Sequence, residues 1–307
     1  MAEKPANASM KEVYQEIVRP ALVRRLVELC RDEDLGPDGV DITSSVMVDA
    51  DERCDAWLVA REPGVVAGLE VVGAVLDELA PATLFREVMS DGTTIEAGTR
   101  LGALLGPKRE ILAAERTLLN VIGRLSGIAT ETARYVRAVE GTAARIVDTR
   151  KTSPGMRVLE KYAVRCGGGH GHRLGLHDAA LIKDNHLAGL SAGGLAAAVA
   201  DAARVARERH SPAFVMVEVD TLEQLDEVLT LDAGVVDIVL LDNMDAAAMR
   251  DAVSRRDASA AKPQLEASGG VSLETVAEIA RTGVERIAVG AITHHADWLD
   301  VGLDVAG

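Results

Sequence analysis

FVMVEVDTLEQLDEVLTLDAGVVDIVLLDN, residues 214–243, places two short apolar runs on either side of a helical stretch. Residues 214–217 and 238–241 are dominated by aliphatic side chains, which is typical of buried β-strands. Residues 221–231 between them carry the helical pattern. The order strand, helix, strand predicts parallel strands joined by a helical crossover.

The same alternation extends over most of the chain after residue 142. Six strands separated by helices suit an α/β barrel or near-barrel. The further strands are predicted at residues 144–147, 179–182, 264–267 and 286–289, and the further helices at about 192–209, 245–254 and 272–282.

The first half of the chain has a different pattern, with short apolar runs punctuated by glycines, which favours a β-rich region. Before it, Lys11 to Cys30 has apolar residues at helical spacing, and Pro20 is expected to break or kink that helix. The other predicted features are an acidic loop at 31–46, a helix near 69–80, and a long helix at 108–139 interrupted near Ser126-Gly127.

Composition narrows the classes of function. The chain has 307 residues, 48% hydrophobic and 26% charged, which suits one large or two smaller globular domains. A net charge of −15 and 2% aromatic residues argue against a nucleic-acid-binding protein. No apolar run approaches the roughly 20 residues of a membrane-spanning helix. Cys30, Cys54 and Cys166 form no CxxC pair, which favours the reducing cytoplasm.

Positive charge is concentrated between Asp148 and His186. This segment holds seven Lys or Arg against four Asp or Glu, and four of the seven histidines. An acidic protein that gathers cations in one segment is expected to bind an anion there. Several of the cations are arginines, which favours a planar, forked anion such as a carboxylate or phosphate.

Each predicted strand after residue 142 ends in residues capable of chemistry. Because the active site of an α/β barrel lies at the carboxyl ends of its strands, these groups are expected to converge. The strand ends supply Asp148-Thr149-Arg150-Lys151, Lys183-Asp184-Asn185-His186, Glu218-Val219-Asp220, Asp242-Asn243, Ser268-Gly269-Gly270 and Gly290.

Two of these ends indicate a phosphate site. Ser268-Gly269-Gly270 precedes a helix expected to begin near Ser272, and Gly290 ends the last strand. Glycines let backbone N–H groups approach an anion, and loops after the last two barrel strands commonly bind phosphate. Glu218 and Asp242 are candidates for Mg²⁺, which takes one or two carboxylates beside a phosphate substrate, although either could instead pair with a neighbouring cation.

These motifs resemble the quinolinate phosphoribosyltransferase family from about Glu33 to the C-terminus. DTRKT, KDNH and SGG in this order and spacing are specific to that family. The matching segments are EDLGPDGVDIT (33–43), REPGVVAGL (61–69), ERTLLNVIGRLSGIAT (115–130), DTRKTSPGMR (148–157), EKYAVRCGGG (160–169), HR (172–173), LIKDNH (181–186), EVD (218–220), LLDNM (240–244), SGGV (268–271) and VGAITH (289–294).

The resemblance implies an α/β fold of two domains and a homodimer whose active sites are shared between subunits. Residues 1–125 would form an N-terminal α/β sandwich-like domain onto which a tail at 292–307 packs back. Residues 126–291 would form an incomplete TIM-like α/β barrel. The implied reaction transfers the phosphoribosyl group of phosphoribosyl pyrophosphate (PRPP) to quinolinate with decarboxylation. It gives nicotinate mononucleotide, CO₂ and pyrophosphate in NAD biosynthesis, with Mg²⁺ as cofactor.

The resemblance also implies roles for the matching residues. The two carboxylates of quinolinate would be bound by Arg150, His172, Arg173 and Lys183, joined by Arg116 of the partner subunit. The PRPP and magnesium site would be lined by Lys151, Glu218, Asp242, Ser268, Gly269, Gly270, Gly290 and His294. The catalytic groups would be Lys151, Lys183, Glu218 and Asp242.

Two positions depart from the family pattern, and further functions are compatible with the sequence. Gly171 stands where the family commonly has Asn, and His295 where Ser is common. The same fold could act on another pyridine or azole acid, or on a ring substrate without decarboxylation. A Schiff-base aldolase built on Lys183 and a non-catalytic phosphoribosyl-binding regulator also remain open.

Overall fold

The computed structural model describes residues 9–187, 189 and 193–305. A short 3₁₀ helix spans Leu69–Val71. The strands are β1 Arg53–Ala60, β2 Gly64–Val65, β3 Leu84–Glu87, β4 Thr94–Ile95, β5 Arg100–Pro107, β6 Arg145–Val147, β7 Ala180–Ile182, β8 Val215–Val219, β9 Ile238–Asp242, β10 Gln264–Ser268, β11 Arg286–Ala288 and β12 Val301–Val305. The helices are α1 Met10–Ile17, α2 Pro20–Leu35, α3 Ile42–Met47, α4 Val72–Leu79, α5 Lys108–Ala138, α6 Arg157–Cys166, α7 Asp184–Leu187, α8 Leu195–His210, α9 Leu222–Leu229, α10 Ala246–Ala258, α11 Val276–Ala280 and α12 Ala291–His294.

The described chain divides into two compact units. The sheet unit contains residues 9–133, 152–168 and 292–305, and the barrel unit contains the described residues of 134–151 and 169–291. Residues 126–133 and 152–168 therefore lie in the sheet unit, whereas they were predicted to belong to the barrel domain. The second segment contains α6, which packs on α1, where the rings of Tyr14 and Tyr162 meet edge to face at 5.2 Å.

An antiparallel sheet forms the centre of the sheet unit. Within the described residues its four strands lie in the order β12-β1-β5-β3, and β2 pairs separately with β4. The C-terminal strand β12 joins this sheet through pairs that run from Ala56↔Val305 to Ala60↔Val301. Ala56, Leu58 and Ala60 are fully buried, so alternate residues of β1 face the core.

The N-terminal helices follow the prediction at one point and correct it at another. Pro20 starts α2 at a position that needs no backbone N–H, so the break after α1 is confirmed. The predicted acidic loop at 31–46 is wrong, because α2 continues to Leu35 and α3 begins after Asp41. The carboxylate of Asp41 accepts a hydrogen bond from the backbone N of Ser44, which is an N-cap that the acidic composition concealed.

The long helix α5 runs from Lys108 to Ala138 without the interruption predicted at Ser126-Gly127. Ser126 Oγ accepts a hydrogen bond from Ala67 N at 3.0 Å and donates one to Ala67 O at 3.1 Å. A Cβ on Gly127 would lie 1.9 Å from the carbonyl oxygen of Asp297. The two residues therefore serve close packing rather than a helix break. No helix in the described part of the chain is long and apolar enough to cross a membrane.

Replacing Gly127 with alanine should destabilise the protein by roughly 1–3 kcal/mol, because the new methyl group collides with backbone. The matched control is Gly73→Ala in α4, where a Cβ meets nothing within 4 Å. That change should stabilise by about 0.5–1 kcal/mol, the usual gain of alanine over glycine in a helix. Urea unfolding at one fixed protein concentration measures both. Equal shifts of the same sign would contradict the packing role of Gly127.

Parallel strands form the barrel unit. Within the described residues, six of them lie in the order β6-β11-β10-β9-β8-β7. The last strand, β11, returns to pair with the first, β6, and consecutive strands from β7 to β11 are neighbours. This is the strand order of a barrel that stays open between β6 and β7, so the predicted incomplete α/β barrel is confirmed.

The predicted strands of this unit match the observed ones to within two residues at either end. Among the helices, α11 spans Val276–Ala280, which is shorter than the predicted 272–282. The helix predicted at 192–209 is α8, Leu195–His210, and residue 192 lies outside the described residues. Neither α6 nor the short α7 was predicted.

Candidate active site

The carboxyl ends of the parallel strands bring the predicted polar residues to one edge of the barrel unit. Lys183 follows β7, Glu218 lies near the end of β8, and Asp242 is the last residue of β9. Ser268 is the last residue of β10 and pairs with Asp242 across the sheet. Gly290 follows β11. The predicted convergence of strand ends is therefore confirmed.

Three of the predicted acid-binding cations surround one cavity of about 610 Å³. Arg150, Arg173 and Lys183 contribute the positive charge, and Leu176 and Leu181 contribute apolar surface. The volume is that of a small-molecule site. Burial lowers the pKa of Arg173, and the neighbouring Arg150 lowers it further. Because adjacent cations repel one another, the cavity favours a ligand with more than one negative charge.

A tight turn holds Lys183 at the carboxyl end of β7. The backbone N of Lys183 donates to His186 Nδ1 at 2.9 Å, and the backbone N of His186 donates to Lys183 O at 2.8 Å. The ammonium of Lys183 forms an ion pair with the carboxylate of Glu218. Of the two interpretations of Glu218, pairing with a neighbouring cation is thus the one observed in this structure.

The loop that carries His172 and Arg173 is held by two carboxylates, the buried one of Asp148 and the half-buried one of Asp178. Asp148 Oδ1 accepts a hydrogen bond from His172 N at 3.0 Å. Asp178 accepts from Leu174 N at 2.7 Å and Gly175 N at 2.8 Å. Asp148 was predicted only as one of the converging strand-end groups, and no role was predicted for Asp178. A carboxylate directly beside an apolar strand is the signal that could have identified their contacts with this loop.

Both ring nitrogens of His172 meet protein atoms. Nδ1 accepts a hydrogen bond from Arg173 N at 2.7 Å, and Nε2 lies 3.2 Å from Glu266 Oε1. The ring also packs edge to face on Phe214, with centroids 5.6 Å apart. His172 was predicted to bind quinolinate, and its ring here contacts Arg173 N, Glu266 and Phe214.

The glycine loop after β10 packs against the loop after β9. Asn243 has a φ of +53° and its N donates to Ser268 O at 2.9 Å. A Cβ on Gly269, whose φ is +93°, would lie 2.1 Å from Asn243 Oδ1. Gly270 has a φ of +59° and open space at its Cβ position. Both positions therefore require glycine, one for the close approach and both for the backbone.

The helix after this loop differs from the prediction. It was expected to begin near Ser272, but the α-helix begins at Val276. Ser272 N donates to Thr275 Oγ1 at 3.0 Å, so it is already used within the turn. Any phosphate bound here would rely on the backbone of Gly269 and Gly270 rather than on a long helix dipole.

Two carboxylates on neighbouring strands are the possible metal ligands. They belong to Glu218 and Asp242, and Asn243 Nδ2 donates to Asp242 Oδ2 at 2.8 Å. Among the described residues, no group of three or more His, Cys, Asp or Glu side chains is arranged to hold a metal ion. The donor chemistry fits Mg²⁺ that completes its coordination with water and phosphate oxygens.

Several predicted residues belong to the sheet unit rather than to the barrel unit that holds this cavity. Arg157 and Lys161 lie on α6, so the positive charge of segment 148–186 is divided between the two units. Arg116, exposed on α5, and His294, at the end of α12, are also part of the sheet unit.

In the barrel unit, Gly171 has a φ outside the left-handed region and open space at its Cβ position, so its backbone does not require glycine.

Cations for an organic acid and a glycine loop for a phosphate lie at the same edge of an incomplete barrel. A phosphoribosyltransferase that joins an organic acid to a phosphorylated sugar requires both of these binding sites. The chain belongs to the quinolinate phosphoribosyl transferase family: the N-terminal domain of that family matches residues 41–126, and its C-terminal domain matches residues 128–304.

Individual relatives agree with this assignment. The chain is 46% identical over 269 residues to the nicotinate-nucleotide pyrophosphorylase [carboxylating] of Mycobacterium leprae, covering 87% of this chain and 92% of that protein. It is 38% identical to a probable enzyme of the same name from Bacillus subtilis, covering 89% of this chain and 90% of the relative. The solved nicotinate-nucleotide pyrophosphorylase of Francisella tularensis superposes with a TM-score of 0.83 at 37% identity, covering 94% of this chain and 98% of that one.

Family membership settles the class of enzyme. The predicted family, fold class and phosphoribosyltransferase class are confirmed. A Schiff-base aldolase on Lys183 and a non-catalytic regulator are thereby excluded.

Proposed function

We propose that this chain transfers the phosphoribosyl group of PRPP to quinolinate with decarboxylation, giving nicotinate mononucleotide, CO₂ and pyrophosphate in NAD biosynthesis. The observation that carries the proposal is the cavity shared by Arg150, Arg173 and Lys183. With Lys183 already paired to Glu218, the two arginines match a ligand with two carboxylates better than a monocarboxylic acid.

The cations of the cavity would hold quinolinate by its two carboxylates. The planar forks of Arg150 and Arg173 suit bidentate contacts, and Lys183 adds a point charge. Arg116 of the partner subunit would contribute the fourth cation. His172 would support Arg173 and approach the same acid. Held in this way, the pyridine nitrogen would face the anomeric carbon of PRPP, and such orientation is worth up to about 7–11 kcal/mol when it is ideal.

The phosphates of PRPP would bind along the glycine loops. The backbone N–H groups around Ser268, Gly269 and Gly270 would receive the sugar phosphate, with Gly290 beside them; the family resemblance implies a role in the same binding for His294. Lys151 would meet the pyrophosphate. Glu218 and Asp242 would hold Mg²⁺ directly or through the sugar hydroxyls. When bound, Mg²⁺ would neutralise negative charge on the pyrophosphate.

The chemistry then needs no covalent attachment to the protein. The pyridine nitrogen attacks the anomeric carbon as the bond to pyrophosphate breaks, and Lys151 stabilises the negative charge on the departing oxygen. Glu218 and Asp242 offset the positive charge that develops on the sugar ring. The ring nitrogen is now cationic, so its positive charge stabilises the electron pair that stays on the adjacent ring carbon when the carboxylate departs as CO₂. That carbon finally takes up a proton.

An exposed apolar face on the sheet unit supports a second copy of this chain as its partner. The outer side chains of α3 are apolar and largely exposed: Ile42 is 75% exposed, Val46 74% and Met47 77%. Three large apolar side chains on one short helix are typical of a surface that is covered in an assembly. We assign this face to a homodimer in which Arg116 of each subunit serves the active site of the other.

Shared active sites predict complementation between two inactive variants. Arg116→Ala and Arg150→Ala dimers should each be weakly active, and mixing with subunit exchange should restore part of the activity. The reason is that a hybrid dimer carries both changes at one site and neither at the other. Activity after exchange, with hybrid formation followed by native mass spectrometry, measures the effect. Verified hybrids without recovered activity would contradict the cross-subunit role of Arg116.

We also place the enzyme in the cytoplasm. Cys30, Cys54 and Cys166 are free, which suits a reducing compartment. Burial raises the pKa of the Cys166 thiol, with a further contribution from Asp91, so this cysteine stays protonated and unreactive.

One assay tests the proposed reaction. Purified protein is incubated with Mg²⁺, PRPP and quinolinate labelled at the 2-carboxylate, and released CO₂ is counted while mononucleotide is followed by mass. A parallel reaction contains nicotinate in place of quinolinate. We expect CO₂ and nicotinate mononucleotide in equal amounts from quinolinate, and no product from nicotinate. Folded protein without product in either reaction would favour a different ring acid as the substrate of the same fold.

A further inference from the structure

A buried ion pair contacts the loop that carries His172 and Arg173, and neither of its residues lines the cavity. Glu266 on β10 is fully buried, and its Oε2 accepts a hydrogen bond from Arg286 Nε on β11 at 2.7 Å. Its second oxygen, Oε1, is equally buried and faces His172 Nε2 at 3.2 Å, in a contact that is less well aligned than a standard hydrogen bond. One sign of this site is visible in the sequence, since Glu266 is a charged residue between the apolar Leu265 and Ala267 of a predicted strand.

The hydrogen bonds around His172 select one form of its ring. Nδ1 accepts the backbone N–H of Arg173 at 2.7 Å, so this nitrogen carries no proton. The proton of the neutral ring is therefore on Nε2, where it faces the carboxylate of Glu266. A buried carboxylate oxygen needs a donor, and Nε2–H of His172 supplies it.

This contact reaches the cavity through the backbone. The His172 ring that Glu266 orients accepts the N–H of Arg173, while Asp148 Oδ1 accepts the N–H of His172 itself at 3.0 Å. Two consecutive peptide groups before the Arg173 side chain are thus fixed. Arg173 lines the cavity and Glu266 does not. Glu266 thus contacts the side chain that holds the backbone of Arg173, while lying outside the lining of the cavity.

We propose that Glu266 is a positioning residue, which holds His172 in the Nε2-protonated form and thereby aims Arg173 at the acid-binding cavity. This rests on the proposed function, because it deepens how the quinolinate cations are set. Arg286 orients the carboxylate from its other side. Supporting partners of a binding histidine commonly change affinity or activity by about 10–100-fold.

A pair of double variants separates this role from a purely structural ion pair. Glu266→Leu/Arg286→Leu removes both charges and the acceptor for His172. Glu266→Gln/Arg286→Gln also removes both charges, but its amide oxygen can still accept the His172 proton. Both lack an unpaired buried charge, and thermal unfolding checks that both are folded. The single Glu266→Gln variant should behave like the first pair, because Arg286 attracts the amide oxygen and leaves the amide N–H₂ facing His172.

We expect KM to rise for quinolinate but not for PRPP, and in the leucine pair but not in the glutamine pair. The leucine pair should raise KM for quinolinate about tenfold, with KM for PRPP within about twofold of the unmodified enzyme. The glutamine pair should keep both values within about twofold. Equal KM values for quinolinate in the two pairs, whether normal or raised, would overturn the proposal.

An NMR readout decides the same question without turnover. In ¹⁵N-histidine spectra, assigned with His172→Gln, the His172 ring should show an unprotonated Nδ1 and a protonated Nε2. This pattern should persist in the glutamine pair and be lost in the leucine pair. A protonated Nδ1 in the unmodified protein, or an unchanged pattern in the leucine pair, would overturn the positioning role. Failure of the unmodified enzyme to release CO₂ from quinolinate would instead refute the proposed function, and the spectra would still decide the role of Glu266.

Discussion

Replacing Arg150 with alanine should reduce kcat/KM for quinolinate about a hundredfold or more. Arg150 is exposed in this structure and lines the cavity with Arg173 and Lys183; losing one partner of the charge pair that bound quinolinate would bury costs roughly 2–5 kcal/mol. The kcat/KM for quinolinate should fall more than the kcat/KM for PRPP, because Arg150 would contact the acid rather than the sugar phosphate. Initial rates over a grid of quinolinate and PRPP concentrations measure it.

The matched control for this change is Arg145→Ala. Arg145 is exposed at the opposite end of the same strand, β6, from Arg150. Residues at the amino ends of barrel strands contribute to stability rather than to catalysis, so the control should keep kcat/KM within about threefold. Near-normal kinetics for Arg150→Ala would remove Arg150 from the binding site. An equally large loss in the control would show that the effect comes from general damage to β6.

Replacing Arg124 with methionine should cost about 3–5 kcal/mol of unfolding free energy, the largest stability effect expected in the sheet unit. Arg124 donates to Glu160 Oε1 from Nε at 3.1 Å and from Nη2 at 2.9 Å. It also donates to the carbonyl oxygens of Thr293 and Ala296. Its loss leaves the fully buried carboxylate of Glu160 without its cation, and methionine cannot hydrogen-bond to either carbonyl.

Two further variants test this reasoning. Arg204→Met removes an exposed pair with Glu208, in which the side chains are 57% and 58% exposed, and should cost less than about 1 kcal/mol. Arg124→Met/Glu160→Met removes both buried charges and should recover part of the loss. Urea unfolding at fixed protein concentration measures all three. An Arg124→Met variant no less stable than Arg204→Met would contradict a buried ion pair at the centre of this unit.

The Arg124–Glu160 pair shows how far sequence patterns can predict contacts. Both residues lie in segments that matched the family, yet neither was predicted to have a role. Glu160 also accepts hydrogen bonds from Ser153 N at 3.1 Å and Ser153 Oγ at 2.7 Å. Residues 36 positions apart form the Arg124–Glu160 pair, so it depends on how α5 and α6 pack. Spacing along one segment carries no information about such a contact.

The same limit explains the errors in the first half of the chain. Ser126-Gly127 had the composition of a helix break, and only the position of the Asp297 carbonyl shows why α5 continues through it. The acidic stretch 31–46 has the composition of a loop, which concealed its capping signal. The hydrogen bond from Ser44 N to Asp41 is local and could have been predicted from the order Asp-Ile-Thr-Ser.

By itself the sequence determined where the parallel strands lie along the chain and which residues stand at their carboxyl ends. Those features follow from local apolar runs and from the geometry of barrels, so local patterns are enough to predict them. The tertiary structure decided which cations share the cavity, that Lys183 pairs with Glu218, and that Glu266 faces His172. These contacts join strands and loops far apart in the chain, and the burial that gives them their energy exists only after the elements have packed.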